Sequence, residues 1–276
     1  MTPKLLFAPS LSPDKGAREG LPPLLKWAGG KRWLLPYLRS LYRGHRHRRW
    51  VEPFAGGLAA ALGLVPERAL LNDLNPHLIN FYRWVQRGLD PKLPMLPDKT
   101  TYYAYRERFN QLIREGKGDT QEAAELFYYL NRTGYNGLCR FNRKGEFNVP
   151  FGKYKRIVYQ RDFSSHQRVF QNWEFTNVDF RQVAYQAGDF IYADPPYDVD
   201  FREYTPDGFS WQDQVELAQL LAGHPGPVVI SNQATERVVR LYESLGFSLK
   251  FLSAPRRISC DGNRQRALEV LAFRNL

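Results

Sequence analysis

The sequence is poor in cysteine and has no long apolar run. Cys139 and Cys260 are its only cysteines. They make neither a zinc-ligand spacing nor a disulfide framework, so no metal is expected and a reducing compartment is the default. No stretch approaches the roughly 20 apolar residues of a membrane span. Leu5-Leu6-Phe7-Ala8 is too short for the apolar core of a signal peptide. The expectation is a cytoplasmic protein with no membrane partner. Phosphate-binding glycine signatures are missing too. There is no G-x-G-x-x-G, and no P-loop lysine follows Gly56-Gly57, which disfavours a dinucleotide or a triphosphate as ligand. Acid is scarce beside base: 28 Asp and Glu against 39 Lys and Arg leave a net charge of +11. Such a balance points to a polyanionic partner.

What is present suffices for a sizeable core. The 276 residues are 43% hydrophobic and 14% aromatic. That length fits one large domain with an insertion, or two small domains. Residues 1–22 mix Pro, Ser, Gly and charge without a period and read as an irregular leader. Strand patterns are expected at 50–54, 69–73, 173–179, 189–193, 228–232, 247–252 and 267–273. Helical patterns are expected at 59–64, 75–85, 102–113, 120–130, 163–171, 209–221 and 235–245, the 209–221 helix burying Val215, Leu217, Leu220 and Leu221. Alternating strands and helices indicate an α/β layered domain. In the basic tract 43–49, His45 and His47 alternate with arginines that would repel a cation, so a solvated loop is expected.

Phe190-Ile191-Tyr192-Ala193 is an apolar run broken abruptly by Asp194-Pro195-Pro196-Tyr197. Two prolines cannot donate to a ladder, so the strand stops there. The result is a rigid turn holding one carboxylate, free carbonyls and one ring, parts suited to orienting a planar amine. Earlier, the strand at 50–54 runs into Ala55-Gly56-Gly57-Leu58 and then a helix, the opening of a doubly wound sheet. Asp73 follows at the end of the second strand, where a carboxylate takes a ribose hydroxyl pair. Taken alone, Asp73 serves equally well as a helix cap. A nucleoside lacking phosphates fits these features.

Pro91, Pro94 and Pro97 mark a linker into a segment of different composition. Its densest part, 131–156, interleaves Arg and Lys with aromatics and asparagines. Asn136-Gly137 and Lys144-Gly145 are turn signals. Arginine reads guanine edges, asparagine reads adenine edges, and aromatics wedge between bases, so a nucleic-acid-reading hairpin is expected. The basic stretch around Arg256, Arg257 and Arg264 reads as a second hairpin-like segment.

These motifs resemble those of Dam-type DNA adenine methyltransferases, from Lys26 to the end of the chain. Lys26-Trp27-Ala28-Gly29-Gly30-Lys31 looks like the family's amino-terminal cofactor motif. Glu52-Pro53-Phe54-Ala55-Gly56-Gly57 looks like its methionine-binding loop, and Asn72-Asp73 like its ribose acid. Asn131 to Tyr154 is similar to its recognition hairpin, and Asp194-Pro195-Pro196-Tyr197 to its catalytic signature. Leu58 departs from the pattern, standing where many relatives have a further glycine. The resemblance implies a Rossmann-like methyltransferase sheet with helices on both faces, and an inserted, mainly helical recognition domain carrying a β-hairpin. The domains implied are 23–82 with 173–276 for catalysis, and 83–172 for recognition. It implies S-adenosylmethionine as cofactor, held by Trp27, Lys31, Phe54, Gly56, Asp73, Asp179 and Asp194. It implies duplex DNA as substrate, contacted by Lys26, Arg132, Tyr135, Asn136, Leu138, Arg140, Asn142, Pro150, Arg256, Arg257 and Arg264, with GATC as the expected site. Asp194, Pro195, Pro196 and Tyr197 would carry methyl transfer to a flipped adenine. A cognate restriction endonuclease acting on the same site without direct contact is a further implied partner. Three other readings stay open: adenine in ribosomal RNA, the amino group of cytosine, and a DNA-binding module without catalysis.

Overall fold

The computed structural model describes residues 20–198, 208–254 and 267–276. Arg256, Arg257, Arg264 and most of the leader expected at 1–22 lie outside the described residues. In chain order the elements begin with α1 (Leu35–Tyr42), β1 (Trp50–Glu52), α2 (Ala59–Leu64), β2 (Ala69–Asn72) and α3 (Pro76–Gln86). Then come α4 (Lys99–Arg114), α5 (Gln121–Thr133), α6 (Ser164–Phe170), β3 (Trp173–Thr176) and β4 (Phe190–Ala193). The chain closes with α7 (Trp211–Ala222), β5 (Val228–Gln233), α8 (Glu236–Ser244), β6 (Ser248–Ala254) and β7 (Ala267–Arg274). The fold is α/β and Rossmann-like, with seven strands in mixed orientation. Among the described residues, no helix is long and apolar enough to cross a membrane.

The chain forms two compact units. One contains Trp33–Phe54 and Phe180–Leu276, the other Glu19–Arg32 and Ala55–Asp179. In the first, strands lie in the order β1-β4-β5-β7-β6. β1, β4 and β5 run parallel, so their carboxyl ends share one edge. That edge receives Asp194, Asn232 and Gln233. β7 is antiparallel to β5 and pairs Glu269 with Gln233, which brings Glu269 to the same edge. All four residues of β4 are buried, as are Val228 to Asn232 of β5, hence their continuous apolar runs. Trp50 lies flat against Phe190 with ring centroids 5.2 Å apart.

In the second unit β2 pairs in parallel with β3, from Ala69 opposite Trp173 to Asn72 opposite Thr176. Three of its helices start at side-chain caps: Asn75 for α3, Asp98 for α4 and Thr120 for α5. Their apolar faces meet in an aromatic core. Phe81 of α3 stacks on Tyr128 of α5 at 5.4 Å, and Phe109 of α4 packs against Phe127 and Phe147. Burying each such ring contributes roughly 2–3 kcal/mol.

Three expectations are corrected. The buried face of α7 is Gln214, Leu217, Ala218 and Leu221, while Leu220 is exposed and Val215 only partly covered. The face is rotated because Gln214 has polar partners inside, described below. The strand expected over 173–179 stops at Thr176, where Asn72 takes over the following backbone: its Oδ1 accepts from Thr176 Oγ1 at 2.9 Å and from Val178 N at 3.0 Å. Residues 134–151 double back but form no regular strand pair, only isolated antiparallel bridges at Gly134–Phe151 and Phe141–Phe147. The two bridges are out of register with one another, with the turn at Tyr135–Gly137 between them, and side chains of α4 hold the outward-facing groups of the returning strand. Asn110 bonds both N and O of Phe147, at 2.8 and 3.1 Å, and Tyr102 Oη and Arg106 donate to Val149 O.

Candidate active site

The Asp-Pro-Pro-Tyr turn leaves the carboxyl end of β4 and is held residue by residue. Asp194 Oδ1 accepts from Ser231 Oγ at 2.8 Å, and Ser231 Oγ also meets Tyr192 Oη at 2.9 Å. Pro196 O accepts from Gln214 Nε2 at 2.7 Å, and Gln214 Oε1 accepts from Asn232 Nδ2 at 3.0 Å. Tyr197 Oη donates to Glu269 Oε2 at 2.7 Å. Burial, with the Asp194 and Glu269 carboxylates nearby, raises the Tyr197 phenol well above its ordinary range, so it stays a neutral donor. Asp198 is clamped by Arg237, whose guanidinium lies over the Trp211 ring. No described residue donates to the Pro195 carbonyl. The turn therefore offers a fixed carboxylate, one open carbonyl and one fixed ring. In the same unit Phe54 packs against Phe180 and Phe209, at 5.7 and 5.4 Å.

The glycine loop and Asp73 form a second constellation, in the other unit. Asp73 Oδ2 accepts from Gly56 N and Oδ1 from Asn75 N, each at 2.9 Å. Burial raises the Asp73 pKa, while the two amide donors pull it back down. Trp27 lies directly on the loop. A Cβ on Gly57 would come within 2.6 Å of Trp27 Cβ, so only glycine permits this approach. Leu58 adopts a left-handed backbone at φ 56° and is fully buried, so the chain makes this turn with a side chain where a glycine would carry less strain. Lys31 is buried and donates to Gly29 O at 2.8 Å. Asp179 follows the turn held by Asn72, and Asn177 Nδ2 donates to Asp73 O at 2.8 Å.

The recognition segment starts from Lys26. Asn131 pairs with its backbone through two bonds of 2.8 Å. Lys26 Nζ donates to Arg132 O at 3.1 Å and sits 3.7 Å from the centre of the Tyr154 ring. Gly137, at φ 64°, would place a Cβ 2.2 Å from Lys26 Cβ, so the Asn136-Gly137 turn is pressed onto Lys26. Tyr135, Asn136, Arg140 and Pro150 are exposed and Leu138 is half-buried. Arg140 is aimed by Asn148, which accepts at 2.8 Å from its Nε. Two further residues expected on nucleic acid also have partners within the chain. Arg132 reaches Leu24 O and Val158 O, and Asn142 accepts from Lys144 N and Glu146 N to close the tip.

Burial, then the neighbouring Arg132, pulls the Lys26 ammonium down to about 8 from 10.5. The sign follows directly. Between those values the unfolded chain binds the extra proton, so this residue's contribution to stability rises as pH climbs from 8 towards 10.5. A Lys26→Met variant is expected to lose that rise, measured as the difference in urea midpoint between the two proteins across this range.

Ser231, Gln214, Glu269 and Asn75 were not singled out from the sequence. Ser231 and Asn232 carried a signal, as polar residues ending an otherwise apolar strand. Asn75 carried one as well, as the residue that with Pro76 opens the helix at 75–85, whereas Gln214 and Glu269 carried none, because their partners are on other elements.

A planar-amine turn at a parallel-sheet edge, a phosphate-free nucleoside loop and a basic aromatic segment together define a group-transfer enzyme acting on nucleic-acid bases. Residues 27–258 match the D12 class N6 adenine-specific DNA methyltransferases, and the chain belongs to that family. It is 34% identical to the retron Ec67 DNA adenine methylase of Escherichia coli over 90% of each chain. It is 36% identical to a DNA adenine methylase of Vibrio cholerae, over 90% of this chain and 94% of that one. With the type II methyltransferase M1.LlaDCHI of Lactococcus lactis it shares 33% identity, over 86% and 89%. It is accordingly an adenine-specific DNA methyltransferase that uses S-adenosylmethionine. The chemistry of the residues present fits that cofactor: a glycine loop with no room for a side chain against Trp27, and a carboxylate, Asp73, just past the end of β2, suited to a ribose hydroxyl pair.

Proposed function

We propose that the chain methylates the exocyclic nitrogen of adenine at GATC in duplex DNA, with the target base swung out of the stack. The observation that supports this best is the turn at 194–197, with its carboxylate fixed by Ser231, its Pro195 carbonyl open and its tyrosine tethered to Glu269. A paired adenine hides its amino group, so the base must leave the duplex to reach the turn. Tyr197 stacks on it. The Asp194 carboxylate and the Pro195 carbonyl accept its two amino hydrogens and turn the nitrogen lone pair out of conjugation. When bound, S-adenosylmethionine supplies an electrophilic methyl carried on a sulfonium. Trp27, Lys31, Phe54, Gly56, Asp73 and Asp179 hold it, with Asp194 bordering it. The chain's contribution is positioning and electrostatics more than proton abstraction.

On the duplex, Tyr135 wedges between bases, Leu138, Arg140 and Pro150 read the second half of the site, and Lys26 reads its first base pair. Asn136 lies beside them. Arg132, Asn142, Arg256, Arg257 and Arg264 make further contacts to the DNA. The enzyme works in the cytoplasm. The likeness to a type II methyltransferase supports a pairing with a restriction endonuclease that acts on the same site without touching this chain.

Incubation with tritiated cofactor and unmethylated duplex, single-stranded DNA or RNA, followed by base analysis and methylation-sensitive digestion at GATC, tests substrate, base and site together. Label confined to RNA, or to cytosine, overturns the proposal. Arg140→Ala is expected to lower the preference for GATC over duplexes changed in its second half by roughly tenfold, read as a ratio of kcat/KM values.

A further inference from the structure

The first turn of α3 touches both the cofactor acid and the recognition segment. Asn75 N donates to Asp73 Oδ1 at 2.9 Å, its Oδ1 accepts from His77 N and Leu78 N, and its Nδ2 donates to Cys139 Sγ at 3.3 Å. Two residues further, His77 stacks on Phe141 with centroids 5.0 Å apart and lies edge-on to Phe109 at 5.1 Å. Burial lowers the His77 pKa and pushes the Cys139 thiol up to about 12, so both are neutral and serve as contacts and not as charges. Along the segment, Cys139 and Phe141 alternate with Leu138 and the exposed Arg140. The first pair rests on α3 while the second belongs to the surface offered to a duplex. A shift of 138–141 on a bound duplex is thus delivered to Asn75, which carries one of the two amide donors on Asp73. The other is Gly56, in the glycine loop itself.

We propose that Asn75 is a positioning residue that couples duplex recognition to cofactor binding: seating Leu138 and Arg140 on the correct site sets the Asp73 carboxylate, and cofactor on Asp73 sets the segment in return. Reciprocity follows because a coupling free energy between two sites acts equally on both ligands. The inference rests on the proposed roles of Asp73 and of 138–150.

The test measures the affinity of the full-length chain for S-adenosylhomocysteine by calorimetry, alone, with saturating GATC duplex, and with a duplex lacking the site. The natural protein is expected to bind about fivefold more tightly, or better, with GATC duplex only. Cys139→Ala and Phe141→Leu should bring that ratio close to one, with the affinity measured in the absence of DNA retained. Cys139→Ser, whose hydroxyl accepts the same bond from Asn75, should preserve it. A ratio of one in the natural protein overturns the coupling. So do Cys139→Ala and Phe141→Leu variants that keep the full ratio, or that lose affinity and melting temperature while the ratio stands. Asp73→Asn and Arg140→Ala separate this failure from failure of the underlying reading. If Asp73→Asn holds the nucleoside as tightly as before, or Arg140→Ala the GATC duplex, the site assignment is wrong and the coupling falls with it. If both weaken yet the ratio persists in Cys139→Ala and Phe141→Leu, the site stands and the coupling alone is lost.

Discussion

An Asp194→Ala enzyme is expected to bind duplex DNA nearly as the natural chain does and to methylate it about a thousandfold more slowly or worse. In the proposed reading duplex affinity comes from the net positive charge and the recognition segment, to which Asp194 does not belong. The loss falls on the chemical step, because an adenine amino nitrogen is a poor nucleophile while its lone pair is shared with the ring. Asp194 is held at the end of β4 by Ser231, and among the described residues none donates to the carbonyl of its neighbour Pro195. In the proposed mechanism the two accept both amino hydrogens, and a single acceptor leaves the nitrogen free to relax into the ring plane. Two milder variants grade the effect. Asp194→Asn keeps an acceptor oxygen and loses the charge. Ser231→Ala keeps the charge and frees the carboxylate to rotate, at a cost of roughly tenfold, the worth of one hydrogen bond to a charged group. Single-turnover rates at saturating duplex separate these from binding defects. An Asp194→Ala enzyme that methylates at the natural rate would remove the carboxylate from the mechanism.

Much of this turn was legible in the sequence because its determinants are local. Phe190 to Ala193 is an unbroken apolar run, and two prolines end it whatever the rest of the chain does. Asp73 was legible through its distance from Gly56-Gly57, since a strand–loop–helix–strand unit has a nearly fixed length. The clamps were not. Gln214 sits among apolar residues of α7, and helical periodicity assigns such a position to solvent unless the partner is known. Its partners are a carbonyl at Pro196 and an amide at Asn232. The recognition segment shows the same division. Asn136-Gly137 and Lys144-Gly145 turn as their residues dictate, with Gly137 and Gly145 at positive φ. The regular hairpin fails because the Tyr135–Gly137 turn lies between two bridges that are out of register, Gly134–Phe151 and Phe141–Phe147, while Asn110, Tyr102 and Arg106 hold the outer groups of Phe147 and Val149.

Gly57→Val is expected to weaken S-adenosylmethionine binding by roughly a hundredfold, and Gly57→Ala by roughly tenfold, with duplex affinity nearly unchanged. Gly57 has no left-handed backbone to protect, so the effect isolates steric approach from conformational freedom. Its added Cβ would meet Trp27 Cβ at 2.6 Å and Trp27 Cγ at 3.2 Å. The Cβ is the fixed root of the indole and cannot swing away by a change of rotamer, so the Trp27 backbone or the loop itself must move. Moving the loop pulls Gly56 from Asp73, whose Oδ2 it holds at 2.9 Å, and slackens Tyr82, whose hydroxyl donates to Gly56 O at 2.8 Å. Moving Trp27 carries Lys26 with it, since the two are adjacent and Lys26 is pinned by both bonds to Asn131. The loop is the softer of the two, because Trp27 is anchored through Lys26 to α5 while Gly56 and Gly57 lie in a connection between β1 and α2. The displacement therefore falls on the cofactor side, which is why cofactor affinity and not duplex affinity is the quantity to measure. Equilibrium binding of S-adenosylhomocysteine to the two variants decides it. Equal affinity in all three proteins would mean that the contact between Trp27 and the glycine loop does not shape the cofactor site.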